Sequence, residues 1–588
     1  MNTPPENVAL PSAARICRSA AGGKNRQGDL KLLLAEVSQY LSQVQAYLAA
    51  PSFKFREELR HKVAYINTLS LVVRNHNFDL ERDGMMDEVS RRYHHGLASI
   101  TGRLHRIAEL ALNVVRQFGH LSRVGFLEAY ALDDFFEEIE LGLSMIRPAL
   151  EQRKLKLVVR LCQVEERLDA HYADRFRRLI REMDEGRGDP GDRVTTLMIV
   201  HYLERIGDLI LEIGEEMIHI ILGENLKFSQ YLALEDGLRA AGRTGGPKAA
   251  PGDFQSIWSG RSGCRIGVIG GEVGGTPVIF KHGPVSKLIK ERDNLETWAQ
   301  LWPGLPPAVL AFIPADGDRA GGPPASGSDD QKQPPQWGGE ASLVLEYIQG
   351  ATLKDRFIDP DDGGDLGELT GALNLMAGLW RETRVEEECR AGFVRQAEKR
   401  LGPVRALYPD LVEFRGSVGR LSIPSLSELL TEARALERPL AAPFTVRIHG
   451  DFNLSNIMRD ERNGTFRFID LHRSAPGDYA QDLSVMILSI LRLPVRGRSA
   501  RARLSQAANL TWTFALDFAA AMDDPTLAAR LTFGLARSFL TSARFEPRRR
   551  AAARFLGYSR FLWESLIKYG RTARSWSDFK LDKRALYV

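Results

Sequence analysis

The chain has 588 residues, with 79 Lys and Arg against 75 Asp and Glu, a formal net charge of +4. A surplus that small makes no electrostatic case for nucleic acid, and the length calls for more than one domain. With 44% hydrophobic and 26% charged residues, no apolar run long enough for a membrane span and four scattered cysteines lacking any CxxC pair, the chain reads as globular and cytoplasmic, without a disulfide framework or a zinc ribbon.

Residues 1–27 are rich in Pro, Ala, Ser and Gly and are expected to form a disordered tail, with no signal-peptide pattern. From 28 to 230 the pattern is helical. Six helices are predicted near 28–49, 54–77, 84–118, 126–150, 153–185 and 190–223, punctuated by Pro51, Asp83-Gly84, Gly119 and the Gly-Asp-Pro-Gly run at 188–191. The third and sixth look like copies: Leu104-His105-Arg106-Ile107-Ala108-Glu109-Leu110 against Leu203-Glu204-Arg205-Ile206-Gly207-Asp208-Leu209. Apolar residues recur in alternating three- and four-residue steps, at Leu104, Ile107, Ala111, Val114, Phe118 and Leu121, and at Leu203, Ile206, Ile210, Ile213, Met217 and Ile220. That is the seam of a packed helix, so the region is predicted to be an all-α duplicated three-helix bundle. Glu204 and Asp208 are four apart, hence on one face outside the seam, in an acidic band with Glu212 and Glu215. The band is open to two readings, an ordinary solvated face or a surface for a cation or a basic partner.

Residues 231–253, rich in Gly, Pro and Ala, read as a linker. Short β-branched runs then mark strands within 254–350, interrupted by a Pro-, Gly-, Ser- and Asp-rich insertion at 314–340, and helices dominate 351–588. The exception in that last stretch is a strand–loop–strand unit, Val446-Arg447-Ile448-His449-Gly450-Asp451-Phe452-Asn453-Leu454-Ser455-Asn456, continuing to Phe466-Arg467-Phe468-Ile469-Asp470-Leu471. An Asp-x-x-x-x-Asn spacing followed by a strand ending in Asp suits phosphoryl transfer. One carboxylate orients and deprotonates an attacking hydroxyl, while the Asn oxygen and the second carboxylate are hard ligands for Mg²⁺ on nucleotide phosphates. Upstream, the strand Val278-Ile279-Phe280-Lys281 offers a phosphate-binding lysine and Glu291 a partner for it. Leu343–Glu346, leading into Tyr347-Ile348, offers a hinge whose backbone bonds a purine, and Gly260, Gly263 and Gly267 form a weak glycine-rich loop.

In this order the pieces resemble the aminoglycoside phosphotransferase and choline kinase branch of the kinase fold, over roughly 254–570. The specific part runs from His449-Gly450-Asp451 through Asn456 to Ile469-Asp470, followed by Gly477-Asp478-Tyr479-Ala480-Gln481-Asp482. Gly after the histidine, and Ile-Asp-Leu in place of Asp-Phe-Gly, favour small-molecule kinases over protein kinases. The resemblance implies a two-lobed α+β fold with an N-lobe at 254–350 and a helical C-lobe at 351–588. It implies ATP and Mg²⁺ as cofactors, Asp451 as base, Asn456 and Asp470 as metal ligands, and Lys281, Glu291, Glu346 and Ile348 around the nucleotide. Asp482 is expected to buttress the loop and His449 to be a core histidine. The Leu203–Asp208 segment in its repeated array resembles the PhoU family of phosphate-signalling proteins, which carry E-x-x-x-D metal motifs; His105 and Glu109 in the earlier copy depart from that pattern. These resemblances imply a phosphotransferase with a regulatory or docking module that can engage a protein partner. The alternative is a nucleotide-binding, pseudokinase-like regulator in phosphate signalling. The hydroxyl acceptor, whether sugar, amino alcohol, antibiotic or protein side chain, carries no legible motif.

Overall fold

The computed structural model describes residues 26–81, 86–241, 254–256, 264–270, 276–314, 339–358, 366–419, 421–495, 497–572 and 575–587. Nearly all of the expected tail, the linker from 242 on, Gly260 and Gly263, and the insertion between 315 and 338 lie outside the described residues. The chain divides into two compact units at Lys281–His282.

In the first unit, α1 (Arg26–Ala49), α2 (Phe53–Glu81) and α3 (Glu88–Phe118) pack on one another, as do α4 (Asp133–Gln152), α5 (Leu155–Asp184) and α6 (Pro190–Leu222), and α3 lies along α6. The ends follow local chemistry. Asp87 caps α3 by accepting from the Ser90 N–H, and Asp189 caps α6, where Pro190 supplies the first turn. Apart from Leu121, which falls beyond the end of α3, the predicted seam residues are all buried. Asp192 accepts from the backbone and hydroxyl of Ser122, both at 2.6 Å, pinning the segment between the two copies to α6. Gly214 lets α6 approach α5 closely, since a Cβ there would stand 2.3 Å from the Cys162 sulfur. Burial pushes the Cys162 thiol well above its ordinary pKa, as befits a packing residue.

The linker expected at 231–253 needs correction at its start. Residues 228–240 form α7 (Phe228–Ala240), with Phe228, Tyr231, Leu234 and Leu238 buried on one face. The Arg265 guanidinium bonds the Asn225 carbonyl and donates to Gln230 Oε1 at 2.8 Å. It thereby ties β2 (Arg265–Ile269), which pairs antiparallel with β1 (Phe254–Ser256), to the helical unit. The boundary between compact units therefore falls later than expected, within β3 (Val278–Pro284), the neighbour of β2.

In the second unit, His282 on β3 hydrogen-bonds with Ser342 (2.9 Å) and Glu340 (2.7 Å) of β5 (Glu340–Glu346), and β5 pairs antiparallel with β4 (Val309–Pro314). Helix α8 (Val285–Leu301) follows β3 directly. After β6 (Gly350–Thr352) come α9 (Leu353–Ile358), α10 (Leu366–Glu382), α11 (Phe393–Leu407) and the short α12 (Pro409–Val412). A hairpin of β7 (Gly416–Val418) and β8 (Leu421–Ile423), not anticipated from the sequence, precedes α13 (Leu426–Glu437). Strands β9 (Val446–Ile448), β10 (Ile457–Asp460), β11 (Phe466–Phe468) and β12 (Ala475–Gly477) occupy the predicted strand–loop–strand region and extend it by one strand. β10 sits between β11 and β6, and β9 pairs with β12. Helices α14 (Ala480–Leu491), α15 (Arg498–Ala521), α16 (Leu527–Ala543) and α17 (Arg549–Gly570) complete the unit, with α16 packed against α11, α14 and α17. The architecture is a helical bundle followed by an α+β unit with a helical C-terminal part, as the sequence implied. No helix among the described residues is long and apolar enough to cross a membrane.

Candidate functional site

The loop between β9 and β10 is held open by its own backbone. Gly450 adopts φ +79°, and a Cβ there would stand 2.2 Å from the Arg473 carbonyl oxygen, so only glycine fits. The buried Asp482, on the first turn of α14, accepts the N–H groups of His449 and Gly450, both at 2.8 Å. Burial pushes its carboxyl up to about 7, while those two bonds pull the other way. It buttresses the loop as expected. His449 is fully buried, and burial lowers its pKa. Its Nδ1 accepts from the Asp451 N–H (3.3 Å), which leaves Nε2 to donate to the Ile469 carbonyl (3.1 Å). A neutral imidazole thus ties the two carboxylate-bearing segments together, also as expected.

Asp451 is half-buried at the loop's outer edge. Its Oδ1 lies 3.3 Å from the Asn453 amide and its Oδ2 3.2 Å from Arg473 Nη1. Asn456, on the 3-10 turn Leu454–Asn456, donates Nδ2 to the Asp451 carbonyl at 2.9 Å. One end of the amide is thereby committed, which fixes the end its oxygen occupies. Asp470 follows β11 with φ +63°, a left-handed conformation that aspartate tolerates. Its Oδ1 bonds His472 Nδ1 at 3.0 Å. Ligand atoms of Glu291, Asp470 and His472 lie within 4.8 Å of one another, the one such His, Cys, Asp or Glu group among the described residues. Helix α8 brings Glu291 there because Asn294 bonds the carbonyls of Leu471 (2.8 Å) and Ser474 (3.0 Å). Trp298 Nε1 donates to Ser474 Oγ (2.8 Å), which in turn donates to the Ile448 carbonyl (2.7 Å).

Of the remaining predicted residues, Lys281 is buried in β3 at the end of the first unit, and Ile348 is buried just beyond β5. Glu346 ends β5 with its carboxylate accepting from Arg467 (2.7 Å), Arg462 (3.1 Å) and the Ala308 N–H (3.2 Å). Burial acts to raise its pKa, yet these bonds hold it below the usual carboxylate value. Its side chain is committed to the strand framework, so a hinge role would fall to backbone. Sequence reasoning missed His472 and Arg473, for which the only signal was proximity to Asp470. It also missed Arg400, Arg537 and Arg544, dispersed over α11 and the end of α16 with no motif at all.

In the first unit, Glu204 and Asp208 on α6 share their surroundings with Glu165 and Asp169 on α5, a second E-x-x-x-D spacing that was legible and overlooked. Burial first and neighbouring carboxylates second push Glu165 and Glu204 up to about 7, and the same causes raise Asp169. His201 lies 3.2 Å from Glu204, and Arg205 2.5 Å from Asp208. The acidic band does not continue along α6. Arg103 of α3 takes Glu212 (2.9 Å) and Glu216 (3.4 Å), and Glu215 bonds Lys227 (2.7 Å) and the Phe228 N–H (3.1 Å), closing the start of α7.

Residues 298–520 match the family model described as "Phosphotransferase enzyme family", a span that includes Asp451, Asn456 and Asp470 and starts after Glu291. Residues 132–217 match the model described as "PhoU domain", which takes in α4, α5 and most of α6. Solved structures similar to parts of the chain include PhoU, the phosphate transport system regulatory protein of Streptococcus pneumoniae. It is 18% identical with a TM-score of 0.32, covering 34% of this chain and 96% of that one. An ethanolamine kinase from Plasmodium vivax is 11% identical with a TM-score of 0.32, covering 52% and 81%. A spectinomycin phosphotransferase, solved with ADP and spectinomycin, is 10% identical with a TM-score of 0.30, covering 54% and 92%. No curated protein matches the chain.

Proposed function

We propose that the kinase-like part of the chain transfers the γ-phosphate of ATP to a hydroxyl group of a small molecule, and that the PhoU-like part regulates or docks it. The observation that carries the reading is the loop itself. Asp451 is presented at the edge, Asn456 is locked by its bond to the Asp451 carbonyl, and Asp482 and His449 fix both flanks. In the transfer, Asp451 accepts the hydroxyl proton as the acceptor oxygen forms its bond to the γ-phosphorus and the bond to the β-phosphate oxygen breaks, leaving ADP. Lys281 and the backbone around Glu346 and Ile348 bind the nucleotide, and Glu291 orients Lys281. The Asp470 carboxylate, grouped with Glu291 and His472, and the Asn456 amide oxygen are hard donors that would suit Mg²⁺. Bound there, Mg²⁺ would neutralise phosphate charge.

The test is Asp451→Asn. It should leave folding and ATP binding intact and lower transfer from labelled ATP by on the order of 10²-fold or more. Asp470→Ala should remove the magnesium dependence of ATP binding measured by calorimetry. A second reading, a nucleotide-binding regulator, draws on Arg473, which here occupies Asp451 Oδ2. Turnover of the wild-type chain separates the two: a regulator transfers no phosphate from labelled ATP to any acceptor or to water.

A further inference from the structure

We propose that the hydroxyl acceptor is itself an anion, a small molecule carrying a phosphate group that seats on Arg400, Arg473 and Arg544. The inference rests on the phosphotransferase reading and names its substrate class. A cavity of about 1170 Å³ opens beside Arg473, between α8, α11, the β11–β12 loop and the end of α16. Six of its side chains are cationic, namely Lys287, Lys290, Lys399, Arg400, Arg473 and Arg544. The one carboxylate in its wall, Asp293, is already bonded to its neighbour Arg292 at 2.7 Å.

Arginines that fold into a protein interior are ordinarily satisfied by carboxylates or carbonyls, because a buried guanidinium without acceptors is costly. Arg400 and Arg544, half-buried, form no ion pair among the described residues, while the more exposed Arg473 pairs with Asp451 at 3.2 Å. The Arg544 Nε and the Arg537 Nε and Nη2 are buried with no acceptor among the described residues. Burial, then mutual repulsion, lowers the pKa of Arg400, Arg537 and Arg544, so the cluster as it stands is electrostatically strained. An incoming dianion with several acceptor oxygens answers both deficits at once. A protonated amine would add charge of the wrong sign, and a neutral sugar would leave the guanidinium donors unmet. The placement also serves the chemistry. An anion beside Arg473 competes with Asp451 for that guanidinium and frees Oδ2 for the hydroxyl proton. Neutral Gln396 and Gln481 line the same wall, where Gln396 Nε2 donates to the Ala391 carbonyl (2.9 Å) and Gln481 Nε2 to the Gly450 carbonyl (3.3 Å).

The experiment is a calorimetric titration of the full chain, saturated with ADP and Mg²⁺, using inorganic phosphate as the probe. Saturable binding is expected, weakened at least about tenfold by Arg544→Gln and by Arg400→Gln, and by less in the exposed-site variant Lys399→Gln. No binding, binding unchanged in all three variants, or phosphate that displaces ADP would overturn the proposal, the last by assigning the cations to the nucleotide. In a second arm, labelled ATP is offered with phosphorylated, neutral and aminated hydroxyl compounds. Transfer to phosphorylated ones supports the proposal, and transfer confined to aminated ones overturns it. Phosphate binding with the expected variant effects, but no transfer to any compound, would leave the anion site standing and defeat the phosphotransferase reading alone.

Discussion

Arg530 and Arg537 stand two turns apart on α16, yet their surroundings are opposites. Arg530 pairs with Asp478 at 2.5 Å and with Asp524, and Asp524 also accepts the Tyr479 hydroxyl at 2.6 Å. Burial acts to lower its pKa, but the two carboxylates hold it above the ordinary arginine value. Arg537 has a ring face, Phe393, 5.4 Å from its guanidinium carbon, and two buried nitrogens without an acceptor. Burial and the nearby Arg400 and Arg473 bring it down to about 10, against the pull of Asp451 and Glu437. One helix thus carries a finished ion cluster that fastens the entry to α14, and with it Asp482, and a guanidinium left without acceptors for two of its nitrogens among the described residues. The difference teaches how a structural arginine is told from one kept for a ligand: by whether its charge is answered within the chain.

The largest effect belongs to the finished cluster. Arg530→Met leaves Asp478 and Asp524 buried without a cation and should cost about 3–5 kcal/mol, read from denaturant unfolding of the full chain. Arg537→Met removes a guanidinium with two buried nitrogens that find no acceptor among the described residues. Its stability, read from the same unfolding, should be unchanged or raised by about 1–2 kcal/mol. Equal losses for the two variants would break the comparison.

The smallest effect is expected in the first unit, where Glu165, Asp169, Glu204 and Asp208 form a cluster of the opposite sign that Arg205 answers in part. Both carboxyls are raised to about 7 in the folded chain, above the value of about 4.3 for an unfolded glutamate. A raised pKa favours the protonated form on folding, so the stability these groups contribute is fully present below about pH 4 and is lost as pH rises through about 7. Hydrogen exchange of the α5 and α6 amides should therefore quicken from pH 5 to pH 8 beyond the intrinsic rate change. Glu165→Gln with Glu204→Gln should flatten that dependence. A divalent cation that restores protection at pH 8 in wild type, but not in Glu204→Gln with Asp208→Asn, would assign the cluster a metal role.

The duplicated bundle was legible because its seam follows the 3.6-residue period over two long helices, and a period sustained that long has few other interpretations. The loop at 449–456 was legible because phosphoryl transfer demands particular residue types at a short, fixed spacing. The start of the linker was misread because Gly and Pro beyond 241 drew attention from the apolar face of α7, only four buried residues strong. The β7–β8 hairpin was missed for a similar reason, since its strands are three residues each and bury little.

The sequence by itself determined the bundle, the order of the α+β unit and the segment that carries Asp451, Asn456 and Asp470. These depend on periodicity and on spacing within one segment, both of which are local. Only the tertiary structure decided which charges are answered. Asp482 reaches back to the loop across a helix start, Arg530 finds Asp478 and Asp524, and Arg400, Arg473, Arg537 and Arg544 gather from separate segments, with Arg473–Asp451 their one ion pair among the described residues. Charge balance depends on distance in space and on exclusion of water, and neither is written in the separation of residues along the chain.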